Sequence, residues 1–247
     1  MAAAFAGALL GGIGARTNRV RTRDEFALWI AAGAVGGPLA LAEWWAILSM
    51  AEGIAGKSFP MSTAATWVVF VPALLGSTVT QALDDSDSRS QWLASCAIKW
   101  FRSPIASTAG LITASVMKML GKPVDFRRGM LFLHAGRGAS ALALGGLAWC
   151  QDRCFSERCV SDALARHEAV HSRTVAAVGE LGFYLTYLTA GIVWARMQGG
   201  PWNSLTPEGC GQPFEKTAHT YTQDPASPNR CGKAVRSAGR SPAKELR

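Results

Sequence analysis

Charge is scarce in this sequence. Asp, Glu, Lys and Arg make up only 17% of its 247 residues, and apolar residues make up 49%. Ordinary soluble domains carry about 25% charged residues, so the balance points toward a membrane protein. The formal net charge is +8, but the basic residues are scattered or lie in tails, with no nucleic-acid reader motif among them. No nucleic-acid partner is expected, and the positive excess suits anionic lipid instead. Positive charge is also missing where a secretory signal would need it. Residues 1–15 are small and apolar, and Arg16, Arg19, Arg21 and Arg23 follow that run rather than precede it. The N-terminus therefore reads as a poorly defined leader or an interfacial helix. Paired C-x2-C arms are absent too. Cys150, Cys154 and Cys159 are separated by three and four residues, which is not the spacing of a structural zinc site. A disulfide from one of them to Cys210 would require an oxidising compartment, and the pairing stays open. No apolar run carries paired ionisable residues, which disfavours transport.

Long apolar runs dominate the first half. From Phe26 to Ala42 there is no charge, and after Glu43 the apolar character continues to Met50. That is long enough for a helix to cross a bilayer, and its Gly and Pro residues are tolerated there. Trp44 and Trp45 suit the membrane interface. A second uncharged run, Ala64 to Leu83, again meets the spanning length, so the two are expected to form a transmembrane helical hairpin. A third stretch, Ile105 to Leu120, is shorter and carries Lys118; it fits a span, a re-entrant piece or an interfacial helix. The arginines at 16 to 23 favour a cytoplasmic N-terminus. Two spans then leave the second half cytoplasmic, and three place it outside.

After Gly121-Lys122-Pro123 the pattern changes. Met130 to His134 and Leu142 to Trp149 are short apolar runs around a glycine-rich break, which predicts a β-hairpin. Its edge could offer pairing to an extended peptide. His134 is given an ordinary structural role.

Ser161 to Arg173 holds the chemistry. His167-Glu168-Ala169-Val170-His171 is an H-E-x-x-H pattern on a stretch with Ser161 as N-cap, Asp162 in the first turn and no Gly or Pro until Gly179. Residues four apart on a helix share a face, so two imidazoles can hold one metal ion. The adjacent carboxylate can then take a proton from a water activated there. The metzincin continuation is missing, since Thr174 and Ala177 stand where its glycine and histidine belong. Glu180 is nine residues past His171 and points about 180° away at about 100° per residue, which removes it as a third ligand.

A third ligand is expected from further along. Pro213 to His219 reads as a new helix with Pro213 in its first turn. Glu215 and His219 lie four apart on one face, and either can complete a site of two histidines and one more ligand. Glu215 is the favoured ligand. His219 is then a neighbour that acts beside the metal or on the transition state.

HEAVH, an apolar segment and then PFEKTAH resemble the membrane-anchored gluzincin peptidases of the prenyl-protease/heat-shock-protease and antibiotic-sensor groups. The resemblance covers about Leu164 to Thr220. It implies His167 and His171 as zinc ligands, Glu168 as general base and Glu215 as third ligand. His219 stands where those families usually have aspartate.

The expected fold is mainly α. A membrane region over residues 1–122 is followed by an α-rich metallopeptidase-like domain with a small β-hairpin over 123–222. A disordered basic tail over 223–247 has too little apolar surface to bury. The expected function is a multi-pass, membrane-associated zinc (Zn2+) endopeptidase acting on a peptide or protein substrate, with the lipid bilayer as its other partner. The alternative is a non-catalytic membrane binding or structural protein.

Overall fold

A computed structural model describes residues 1–20, 22–56, 61–134, 142–144, 147–150, 162–198, 214–215 and 217–218. His219, Ser161, Cys154, Cys159, Cys210 and the 223–247 tail lie outside the described residues. The described chain is mostly helical.

The first two helices, α1 (Ala2–Thr17) and α2 (Arg23–Ala55), lie tightly against each other. Their contact is made by glycine. A Cβ at Gly33 would overlap the Gly7 carbonyl, and one at Gly37 would overlap the carbonyl of Ala3. Backbones approach this closely only where side chains are missing, a packing mode favoured between membrane helices. The segment read as a leader or interfacial helix thus packs along α2. Thr22 starts α2 by accepting the N–H of Glu25, and Gly56 ends it in the left-handed region at φ +63°.

Among the described residues, α2 is the one helix long and apolar enough to cross a membrane by itself. The Ala64–Leu83 run does not form a second continuous span. Helix α3 (Met61–Thr78) stops at Val79, and a separate short helix, α4 (Thr80–Asp84), follows. Three side chains bond to backbone carbonyls at this break. Thr78 donates to Leu74, Thr80 to Gly76 and Ser77 to Leu10 of α1. Such bonds draw the backbone out of a straight helix. The third run forms α6 (Pro104–Met119), which follows α5 (Arg89–Arg102) with Pro104 at its first turn.

Four strands come next: β1 (Val124–Arg127), β2 (Met130–His134), β3 (Leu142–Leu144) and β4 (Leu147–Cys150). The expected hairpin between Met130–His134 and Leu142–Trp149 is corrected here. The first of these runs pairs antiparallel with β1, with Arg127 opposite Met130. Arg128 and Gly129 between them both have positive φ, as a two-residue hairpin turn requires. The second run is itself a hairpin, with Leu144 opposite Leu147. The two hairpins join through parallel pairing of β2 with β4, giving the order β1-β2-β4-β3.

The last two described helices are α7 (Asp162–Val178) and α8 (Glu180–Gln198). They meet at Gly179, whose φ of +85° no other residue adopts easily. The bend between them is 120°, so they do not form one straight span. Helix α7 packs among α1, α2, α3, α5 and α8 and touches edge strand β3. Residues 171–178 of α7 are all buried. A core of Ala15, Trp29, Ala32, Val175, Ala177, Val178, Phe183 and Phe214 joins α1, α2, α7, α8 and the 214–218 segment. Trp29 is 1% exposed, and its truncation to alanine would cost about 3–5 kcal/mol.

Candidate metal centre

The helical reading of Ser161 to Arg173 holds from Asp162 onward, and it places both imidazoles on one face. Nε2 of His167 lies 3.3 Å from Nε2 of His171. Glu215 arrives from the far end of the described chain and faces both. Its Oε2 is 3.4 Å from His167 Nε2, and its Oε1 is 3.4 Å from His171 Nε2. His167, His171 and Glu215 form the described group able to hold a metal ion. In a tetrahedral site, neighbouring ligand atoms are separated by about 1.6 times the metal–ligand distance. Zinc bonds of about 2.0–2.1 Å therefore call for ligand spacings of about 3.3–3.4 Å. The two histidine nitrogens meet that spacing, and each meets it with a different oxygen of Glu215; one ligand atom from each residue lies within 4.8 Å of the others, so the donor set is compatible with zinc. Calcium would want more oxygen ligands at longer range.

Three contacts set Glu215 in place. Phe214 beside it packs in the core against Phe183 and Tyr187. Tyr187 on α8 donates its hydroxyl proton to Glu215 Oε1. Thr217 donates to Oε2 of Glu25, in the first turn of α2, at 3.1 Å. Glu215 is 5% exposed. Burial alone would raise its pKa, but the facing imidazoles of His171 and His167 outweigh that and hold the carboxyl well below its usual range. A carboxylate kept ionised in a buried place is what a metal ligand requires.

Glu168, 3% exposed, is near enough to His167 and Glu215 to feel their charge. Burial pushes its pKa up to about 7, with His167 opposing and Glu215 adding to the rise. A carboxyl near 7 is well matched to general base and acid work at neutral pH. Burial, and then Glu215, pushes the Tyr187 hydroxyl above its ordinary range, so it stays a donor.

The opposite face of α7 is anchored by ions. Arg173 Nη1 lies 3.7 Å from Asp85 Oδ1 and 4.0 Å from Asp84 Oδ2. Asp84 is fully buried. It accepts from Lys99 Nζ at 2.9 Å on both oxygens and from Ser95 Oγ at 2.6 Å. Lys99 also donates to the carbonyl of Arg128 in the β1–β2 turn, at 3.0 Å. Gly129 in that turn leaves no room for a Cβ against Ser95 and Asp84. This network ties α7, α5 and the sheet together behind the histidines.

Of the sequence-predicted site residues, the structure brings His167, Glu168, His171 and Glu215 together, and His219 lies outside the described residues. Glu180 is directed elsewhere, toward the start of α6; the bend at Gly179 puts it on a different helix from His171, so the straight-helix argument against it does not apply. Tyr187 was not singled out from the sequence. Nothing local marks it, since Tyr184, Thr186 and Thr189 put other hydroxyls on the same helix. No family model, curated protein or solved structure matches the chain. The reading of the site rests on its own geometry.

Proposed function

We propose that this protein is a membrane-anchored zinc-dependent endopeptidase of the gluzincin type. The observation that carries this reading is the His167–His171–Glu215 donor set, compatible with zinc, with a buried carboxyl, Glu168, beside it. Zinc held there supplies Lewis-acid polarisation of the scissile carbonyl and of the attacking water. Glu168 takes the water's proton and passes it to the leaving amine. Tyr187 keeps Glu215 oriented toward the histidines.

Membrane anchoring is proposed through α2, with α1 alongside. Exposed apolar side chains support a lipid environment. On α8, Leu181, Leu185, Leu188 and Ile192 form one exposed stripe, and on α3 Trp67, Val71, Leu74 and Leu75 form another. Surface of this extent is rare on soluble monomers. The protein should stay in the membrane fraction through a carbonate wash. The deciding measurement is metal content: one zinc per chain is expected in purified protein at neutral pH, with peptide cleavage lost on chelation and restored by zinc. Protein without stoichiometric zinc would overturn the enzyme reading.

A further inference from the structure

The bend at Gly179 sets how the histidine helix meets the helix that carries Tyr187, and glycine cannot fix that angle by itself. Its φ of +85° lies where glycine moves freely. Tyr187 stands further along α8, about 12 Å from the bend at about 1.5 Å per residue. A change of about 10° at the bend would therefore carry Tyr187 sideways by about 2 Å. A binding constellation must be held within about 0.5 Å, so a few degrees are enough to spoil it. Phe183 lies on the same lever arm, with its ring centroid 6.1 Å from that of His171 and 5.3 Å from that of Phe214.

Two adjacent residues at the junction of α5 and α6 grip both sides of this bend. Arg102 ends α5, and its Nε donates to the Ala176 carbonyl at 3.1 Å. That carbonyl belongs to the last turn of α7, where carbonyls lack intrahelical partners. Nη1 of Arg102 donates to the Val69 carbonyl of α3 at 3.2 Å, which ties the guanidinium to a third helix. Ser103 donates its hydroxyl to Oε2 of Glu180, the first residue of α8, at 2.5 Å. The same carboxylate accepts the backbone N–H groups of Ile105 at 3.2 Å and Ala106 at 3.0 Å. These open α6, where N–H groups lack intrahelical partners and the helix dipole favours an anion. Arg102, Ser103 and Glu180 are all buried, so a bond lost here leaves a polar group without water to replace it. The arginine holds the end of one helix, and the serine holds the start of the next.

We propose that Arg102 and Ser103, the latter acting through Glu180, are positioning residues for the metal centre. They clamp the angle between α7, which carries both histidines, and α8, against which Glu215 is docked. The effect on zinc rests on the metal reading above; the hold on the bend does not.

The test uses the full chain in nanodiscs, with backbone hydrogen exchange, melting temperature and zinc competition against a chelator as readouts. S103A removes one donor to Glu180, and E180Q leaves one acceptor oxygen to serve three donors. R102K replaces the fork that reaches two helices with a single ammonium. Each variant should speed exchange over residues 175–183 by about 10-fold, the worth of one hydrogen bond to a charged group. Each should bind zinc about 10-fold more weakly. F132L, a core change in β2, is the control for general destabilisation. It should melt lower, keep wild-type exchange at 175–183 and bind zinc within about threefold of wild type. Wild-type exchange at the bend in all three variants would leave the angle to the close packing of Gly36 on Val178 and Gly182, and would overturn the clamp. Faster exchange with unchanged zinc affinity, or zinc weakened as much by F132L, would overturn the positioning role. The three variants are read independently, so one that does not fold leaves the others to decide. If wild type holds no zinc, the metal reading fails, while the exchange rates still decide whether Arg102 and Ser103 hold the bend.

Discussion

The hydroxyl of Tyr187 donates to Oε1 of Glu215, the same oxygen that faces Nε2 of His171 at 3.4 Å. One carboxylate oxygen is thus shared between a hydrogen-bond donor on α8 and a histidine nitrogen on α7. Outer partners of this kind orient a ligand and tune its basicity. Replacing Tyr187 with Phe keeps the ring contacts with His171, Phe183 and Phe214 and removes only the donor. The Tyr187→Phe variant should fold normally and bind zinc about 10-fold more weakly. Chelator competition measures this. Wild-type affinity in the variant would mean that the hydrogen bond does not support the site.

Glu168 is assigned the proton transfer. A glutamine there keeps the size of the side chain but cannot accept the water's proton. Glu168→Gln should therefore retain one zinc per chain and lose peptide cleavage by about 10²–10⁴-fold, the usual worth of general acid–base catalysis. Cleavage of a fluorogenic peptide at wild-type rate would remove Glu168 from the role.

How much of this was legible in the sequence follows from how local each feature is. The helix around His167 and His171, and its end at Gly179, are set by residues within a few positions of one another, so spacing alone revealed them. Glu215 was legible because proline and a helical spacing surround it. Tyr187 was not, because its partner is 28 residues away and nothing in its own neighbourhood marks it. The Ala64–Leu83 run looked continuous because hydropathy counts composition, whereas the break at Val79 depends on hydroxyls bonding to backbone and to α1. Similarly, the α1–α2 contact rests on glycines whose lack of a side chain leaves no apolar periodicity to read. Strand order was hidden for a related reason. Short apolar runs announce strands, but the parallel pairing of β2 with β4 is fixed only by how two hairpins dock.

Asp84 is the counter-ion that makes the buried Lys99 tolerable. Burial lowers the lysine's affinity for its proton, and the charge of Asp84 opposes that. Both side chains are fully buried, 2.9 Å apart. Removing one partner of such a pair leaves an uncompensated charge, which typically costs about 3–5 kcal/mol. Asp84→Ala should lower stability by that order in denaturant titration. A double variant, Asp84→Ala with Lys99→Met, should recover part of the loss because the buried lysine charge is gone, while Arg173 still faces Asp85. Equal instability in the single and double variants would show that the pair is not what holds α5 to the sheet.

The third ligand is where sequence and structure meet most directly. Sequence left Glu215 and His219 both open, and the described geometry puts a different oxygen of Glu215 3.4 Å from each histidine. Two imidazoles alone hold zinc weakly, so Glu215→Ala should lose metal and cleavage together. His219→Ala should keep one zinc per chain and, if the residue acts beside the metal, lower rate or affinity by about 10–100-fold. Metal analysis of both purified variants separates the cases. Zinc lost from His219→Ala and kept in Glu215→Ala would exchange their roles and leave a site of three histidines. Zinc kept in full by both would mean that the ion is held by a different set of residues, and the resemblance to the gluzincins would lose the residue on which it turns.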